Sequence, residues 1–156
     1  MKQSAGLLVY RKKQHVLEVF LVHPGGPYWT NRNIASWSIP KGEFEEDEDP
    51  LQAALREFTE ETGLAIPEGE PLPLRPVKQS GHKQIHAWYL QGDVDADAVR
   101  SNTFELEWPP KSGKKKEFPE VDKAGWFGLD EAKEKIHKGQ VQIIDQLVNL
   151  IGPRWV

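Results

Sequence analysis

A chain of 156 residues with 24 acidic and 20 basic side chains, a net charge of −4 and no cysteine fits one domain, read here as 1–156. That charge argues against coating nucleic acid through an overall field, so no stable nucleic-acid partner is expected, and the missing thiols exclude a disulfide framework or a thiolate zinc site. The N-terminal apolar stretch is broken by Arg11, Lys12 and Lys13, too short for a secretion signal or a membrane span, so a soluble, cytoplasmic protein without membrane contact is the expectation.

Leu7 to Tyr10 and Val16 to Val22 are aliphatic, β-branched runs around a basic turn at 11–14, which predicts a hairpin. His23 to Ser36 reads as a loop, in which Pro24-Gly25-Gly26-Pro27 breaks regular structure and presents Tyr28 and Trp29. Trp37-Ser38-Ile39 predicts a short strand leading into Pro40-Lys41-Gly42 and an acidic turn. A helix is expected from Pro50, with Asp49 as N-cap, Gln52 at capping-box spacing and Gly63 in the left-handed closing position. Leu51, Ala54, Leu55 and Phe58 share a face fit for burial. Glu57, Glu60 and Glu61 stand at i, i+3 and i+4 on a neighbouring face expected to meet water, and Arg56 is in reach of Glu60.

Beyond the helix, 67–76 reads as an irregular loop, and Val77 to Gln79 with Ile85 to Leu90 as paired strands. Phe104 to Trp108 predicts a strand stopped by Pro109-Pro110, followed by a basic turn over 111–116. Ala124 to Phe127 predicts a short buried strand. A helix follows from near Asp130 to His137, and a last one over 141–151 has Ile143, Leu147 and Ile151 in phase. Strands mixed with a central and a terminal helix predict an α+β domain with helices on both sides of a sheet.

Acids crowded on one helix face repel each other, and a divalent cation relieves that repulsion; taken alone, such a face is more simply a solvated, ion-paired surface. Oxygen donors, no thiols and histidines without spacing to the acids favour Mg²⁺ or Mn²⁺ as the metal. Each histidine reads as surface or core. The carbonyl of Gly42 is a further candidate ligand, because glycine lets the backbone approach closely. Lys41 adjoins that turn and is the first choice to hold phosphate. Lys83 and the run Lys114-Lys115-Lys116 are candidates to clamp a longer chain, a solvated loop being the simpler reading of the run. Trp29 and Tyr28 either stack on a base or pack on the surface.

Gly42, Glu48, Arg56-Glu57, Glu60-Glu61 and Gly63-Leu64 join two glycines, one arginine and four glutamates at fixed offsets, and chance matches to so many positions are uncommon. This stretch resembles the box that defines the Nudix hydrolases. The resemblance implies an α/β/α sandwich, a mixed sheet between helices, with the box as loop-helix-loop. It implies a metal-dependent pyrophosphohydrolase acting on a nucleoside diphosphate linked to another group, with Glu57, Glu60 and Glu61 binding the metal, Glu57 and Glu61 foremost. A second acid ahead of a late strand often serves as base in relatives; Glu120 has that context, with Glu105, Glu117 and Asp122 as competitors. Glu48 either tunes the metal cluster or only complements the helix dipole. Trp37 to Gly42 and Glu120 to Leu129 are similar to the dinucleoside polyphosphate hydrolase branch, which makes diadenosine tetraphosphate or a nucleoside triphosphate the first substrate. The alternatives are ADP-ribose or a sugar nucleotide, or a module that binds a nucleotide without cleaving it.

Overall fold

The structure is a computed structural model describing residues 1–152; of the expected domain, 153–156 lie outside the described residues. In chain order these form β1 (Lys2–Lys13), β2 (Val16–Pro24), β3 (Lys41–Glu43), α1 (Pro50–Thr62), β4 (Leu72–Pro73), β5 (Val77–Ser80), β6 (Lys83–Gln91), β7 (Thr103–Glu107), β8 (Lys115–Pro119), β9 (Val121–Gly128), α2 (Leu129–Lys135) and α3 (Val141–Ile151).

β1 is the central strand. It runs parallel to β6 from Lys2↔Lys83 to Tyr10↔Gln91, while its other edge is divided between β3 at Ser4 to Gly6 and β2 at Tyr10 to Lys13. β2 continues antiparallel to β9, and β4 and β5 both pair with β6, giving a seven-stranded mixed sheet. β7 and β8 form a separate two-stranded sheet.

Because side chains alternate across a strand, β1 and β2 feed two cores. Leu8, Tyr10, Leu17, Val19 and Leu21 join Ile143, Ile144 and Leu147 of α3 on one side of the sheet. On the other side Leu7, Val9, Phe20 and Val22 join Phe58 of α1. A strand covered on both faces reads as an unbroken apolar run, which is why residues 7–10 show no polar alternation. The arrangement is the expected mixed sheet between helices.

α1 has the expected ends: the Asp49 carboxylate accepts from the Gln52 N–H at 3.0 Å, and Gly63 closes the helix at φ 68°. Other boundaries move. The hairpin turn is only Gln14 and His15, both at positive φ, so Arg11 lies in the strand and donates to Glu18 at 2.9 Å. Trp37 to Ile39 makes isolated bridges to Val22 and Ile136 rather than a strand, and the ladder forms only past Pro40. The helix expected to reach His137 stops at Lys135, because Ile136 turns extended to bury itself in the core beside Trp37. Lys115 and Lys116, expected in a turn, pair with Glu107 and Leu106 in β8, and Leu72–Pro73 adds a short strand to the expected loop. Among the described residues no helix is long and apolar enough to cross a membrane.

Candidate active site

Gly42 faces α1, and a Cβ at that position would overlap the Glu57 carboxylate. The close approach only glycine permits lets Glu57 be buried, at 8% exposure. Glu57 and Glu61 therefore meet β3 and not open water as expected, while the Glu60 side chain keeps 36% of its surface exposed. One turn along, Glu61 accepts a hydrogen bond from the Lys41 backbone N–H at 3.1 Å. A single short strand thus seats both acids, one through a missing side chain and the other through an amide.

Arg56 organises the neighbouring carboxylates. Its Nε and Nη2 donate to the two oxygens of Glu48 at 2.9 and 3.0 Å, and its Nη1 to Glu57 at 2.8 Å and Glu60 at 3.3 Å. A planar fork can span three carboxylates in this way; a point-like ammonium cannot. Both Glu48 oxygens are engaged there.

Glu120 shares with Glu57, Glu60 and Glu61 a cleft of about 530 Å³. Its backbone is fixed on both sides: the N–H donates to the Asn102 carbonyl and the carbonyl accepts from the Gly25 N–H, each at 2.9 Å. The competing acids are elsewhere. Glu105 and Glu117 pair across the β7–β8 ladder on exposed positions, and Asp122 bonds His23 Nδ1 at 2.8 Å. His23 is wholly buried, with its Nε2 against the Arg32 carbonyl and its ring against Trp37, so it is a core strut between the 24–36 loop and β9.

Burial and mutual repulsion act on the acids together. Burial raises the Glu57 pKa, Glu60 adds to it, and Arg56 opposes. Glu61 is pushed up to about 8, above all by burial and against the pull of the Lys41 N–H. Glu120 is raised by burial and then by Glu60. A cation placed among these groups would oppose each of the shifts.

Lys41 also lines the cleft; burial lowers its pKa, Glu61 opposes and Lys83 reinforces. Lys83 is not part of the lining and stands at the first β6 pair, beside Lys2. Trp29 lines the wall with the Arg32 guanidinium 5.5 Å over its ring, whereas Tyr28 packs edge to face on Trp108 outside the lining. Lys114 to Lys116 are exposed. Phe104 of β7 lines the cleft too, which the sequence did not reveal. Its place depends on the hairpin folding onto Gly26, whose Cβ, if present, would lie 3.0 Å from the ring; the Gly25-Gly26 pair was the one local hint of such an approach.

The family model for the NUDIX domain matches residues 1–147. Nudix hydrolase 4 of Arabidopsis thaliana is 31% identical over 141 residues, 85% of this chain and 58% of that protein. An RNA pyrophosphohydrolase of Roseobacter denitrificans is 53% identical over 34 residues, 22% of this chain and 21% of that protein. The chain spans less than two thirds of the length of these curated relatives. Among solved structures, a C. elegans Ap4A hydrolase binary complex superposes with TM-score 0.61 at 21% identity, covering 96% of this chain and 97% of that one. The NUDIX domain of Shewanella oneidensis NrtR complexed with ADP ribose gives 0.63 at 17%, covering 95% and 86%. At these identities the likeness speaks for the fold.

Proposed function

The chain belongs to the NUDIX domain family, and from that premise we propose that it is a metal-dependent pyrophosphohydrolase cleaving a phosphoanhydride bond of a nucleoside polyphosphate or nucleoside diphosphate derivative. One observation carries the reading: Glu57 and Glu61, seated on β3, share a cleft with Glu120, which joins β8 to β9.

The residues fit a hard divalent ion. The donors are all oxygens, the Cβ-free surface of Gly42 brings the Glu57 carboxylate against the β3 backbone, and burial of Glu61 outweighs the pull of the neighbouring Lys41. Among the described residues no three His, Asp or Glu side chains close around a point by themselves. Mg²⁺ or Mn²⁺ takes one or two protein carboxylates and completes its shell with water and substrate phosphate. Glu57 and Glu61 would hold it, with Glu60 and the Gly42 carbonyl as further donors. When bound, such an ion neutralises phosphate charge and makes water more acidic.

The protein's own groups do the rest. Arg56 keeps Glu57 and Glu60 from swinging apart, Lys41 offers its ammonium to phosphate oxygens, and Glu120 accepts the proton of the attacking water. Dinucleoside polyphosphates and nucleoside triphosphates are the first substrates, in line with the likeness to an Ap4A hydrolase. Release of nucleotide products, resolved by chromatography across a nucleotide panel with Mg²⁺, with Mn²⁺ and with EDTA, tests the reading. Metal-dependent release that vanishes in Glu61→Gln is expected; no turnover of any nucleotide with either ion would overturn it.

A further inference from the structure

We propose that Gln140 is a positioning residue for the metal acids, fixing the free edge of β3 from which Glu61 is held. The inference deepens the hydrolase reading and rests on it for the metal.

Successive residues of an antiparallel strand alternate between bonding a neighbour and facing away from it. The Pro40 carbonyl accepts from the Leu7 N–H and the Phe44 N–H donates to the Gln3 carbonyl, each at 3.1 Å, so the even positions around β3 bond β1. The backbones of Ile39 and Lys41 therefore face the other edge, where no strand pairs with β3 among the described residues. Pro40 has no N–H to offer between them. Each outward amide is taken by a side-chain oxygen instead: Ile39 donates to Gln140 Oε1 and Lys41 to Glu61 Oε1, both at 3.1 Å. One oxygen comes from the turn ahead of α3 and the other from α1, on the opposite side of the sheet.

Gln140 is itself held fast. It is 1% exposed, and its Nε2 donates to Ser38 Oγ at 3.0 Å and to Gln79 Oε1 of β5 at 3.2 Å, so both ends of the amide are satisfied. Its backbone N–H donates to the His137 carbonyl at 2.8 Å, and Gly139 lies so close to the Gln79 carbonyl that a Cβ there would overlap it. A buried polar network with every member satisfied is rigid. Residues 38 and 39 thus cannot shift without breaking bonds to β5 and to the turn ahead of α3, and the fixed φ of Pro40 passes that constraint to the Lys41 N–H beneath Glu61. Gln140 bonds none of the acids, so it acts on them only through this backbone.

The test is Mn²⁺ calorimetry beside thermal melts. Gln140→Met keeps the length and loses the oxygen; Ile144→Val thins the core under α3 and leaves every hydrogen bond of 38–41 in place. Gln140→Met is expected to weaken Mn²⁺ binding about tenfold or more, as for other groups that orient metal ligands, whereas Ile144→Val should lose melting temperature and keep the wild-type affinity. Should Gln140→Met not fold, Gln140→Asn, too short to reach Ile39 and Gln79 together, is read in the same way. A folded Gln140 variant with wild-type affinity, or a loss matched by Ile144→Val, overturns the inference. No Mn²⁺ uptake by the wild type is a distinct outcome: it overturns the hydrolase reading, and the positioning role with it.

Discussion

The Glu57 carboxylate occupies the space where a side chain at Gly42 would begin. Gly42→Ala should therefore push Glu57 off β3 and lower turnover on the order of 10²-fold, the scale at which about an ångström of misplacement tells. Overpacking costs about 1–3 kcal/mol, so the variant should still fold. Steady-state rates beside a thermal melt separate the two effects; unchanged rates would mean that Glu57 needs no such seat.

Glu61 predicts a pH signature in the metal-free protein. Its folded pKa of about 8 lies above the ordinary 4.5, so the folded state holds the proton more tightly than the unfolded chain. That contribution to stability is complete below 4.5 and is lost as pH rises toward about 8. In EDTA, melting temperatures of the wild type should fall relative to Glu61→Gln across that window, and Mg²⁺ should reduce the difference. Parallel profiles would contradict the buried acid.

Glu120→Gln should slow turnover by about 10²-fold or more, the usual reach of a general base, while sparing metal affinity. Burial raises the pKa of this group, so the variant should lose the acidic limb of the pH–rate profile. An unchanged profile would remove Glu120 from that role.

Arg56→Lys keeps the charge but cannot span Glu48, Glu57 and Glu60. A loss of about 10- to 100-fold in metal affinity is expected, as for other groups that orient metal ligands. Calorimetry with Mn²⁺ reads it directly.

His23→Ala removes the buried ring that bonds Asp122 and the Arg32 carbonyl and opens a void beside Trp37. A loss of about 1–3 kcal/mol in denaturant unfolding is expected. A smaller change would mean that the 24–36 loop is secured without it.

Much of this was legible because the signals are local. Asp49, Pro50 and Gly63 fix α1 by their own backbone preferences, and Glu57, Glu60 and Glu61 follow from helical spacing. The burial of Glu57 was not legible, since it depends on β3 passing over α1 at Gly42. Glu120 stood out from its rivals only once the chain closed and Asn102 and Gly25 fixed its backbone. Phe104 carried no sign of its place, which comes from contact between two segments far apart in sequence. The end of α2 was misjudged because the buried contact of Ile136 overrides helix propensity.

The parallel pairing of Lys2 with Lys83 spans 83 − 2 = 81 residues. During synthesis, at about 5–20 residues per second, the first strand leaves the ribosome roughly several seconds before its long-edge neighbour exists. For that interval the strand destined to be covered on both sides is an apolar, unpaired edge, the kind of surface that recruits other chains. Shortage of chaperones would thus be felt first at β1, through nascent-chain aggregation, before the acidic cleft has been assembled.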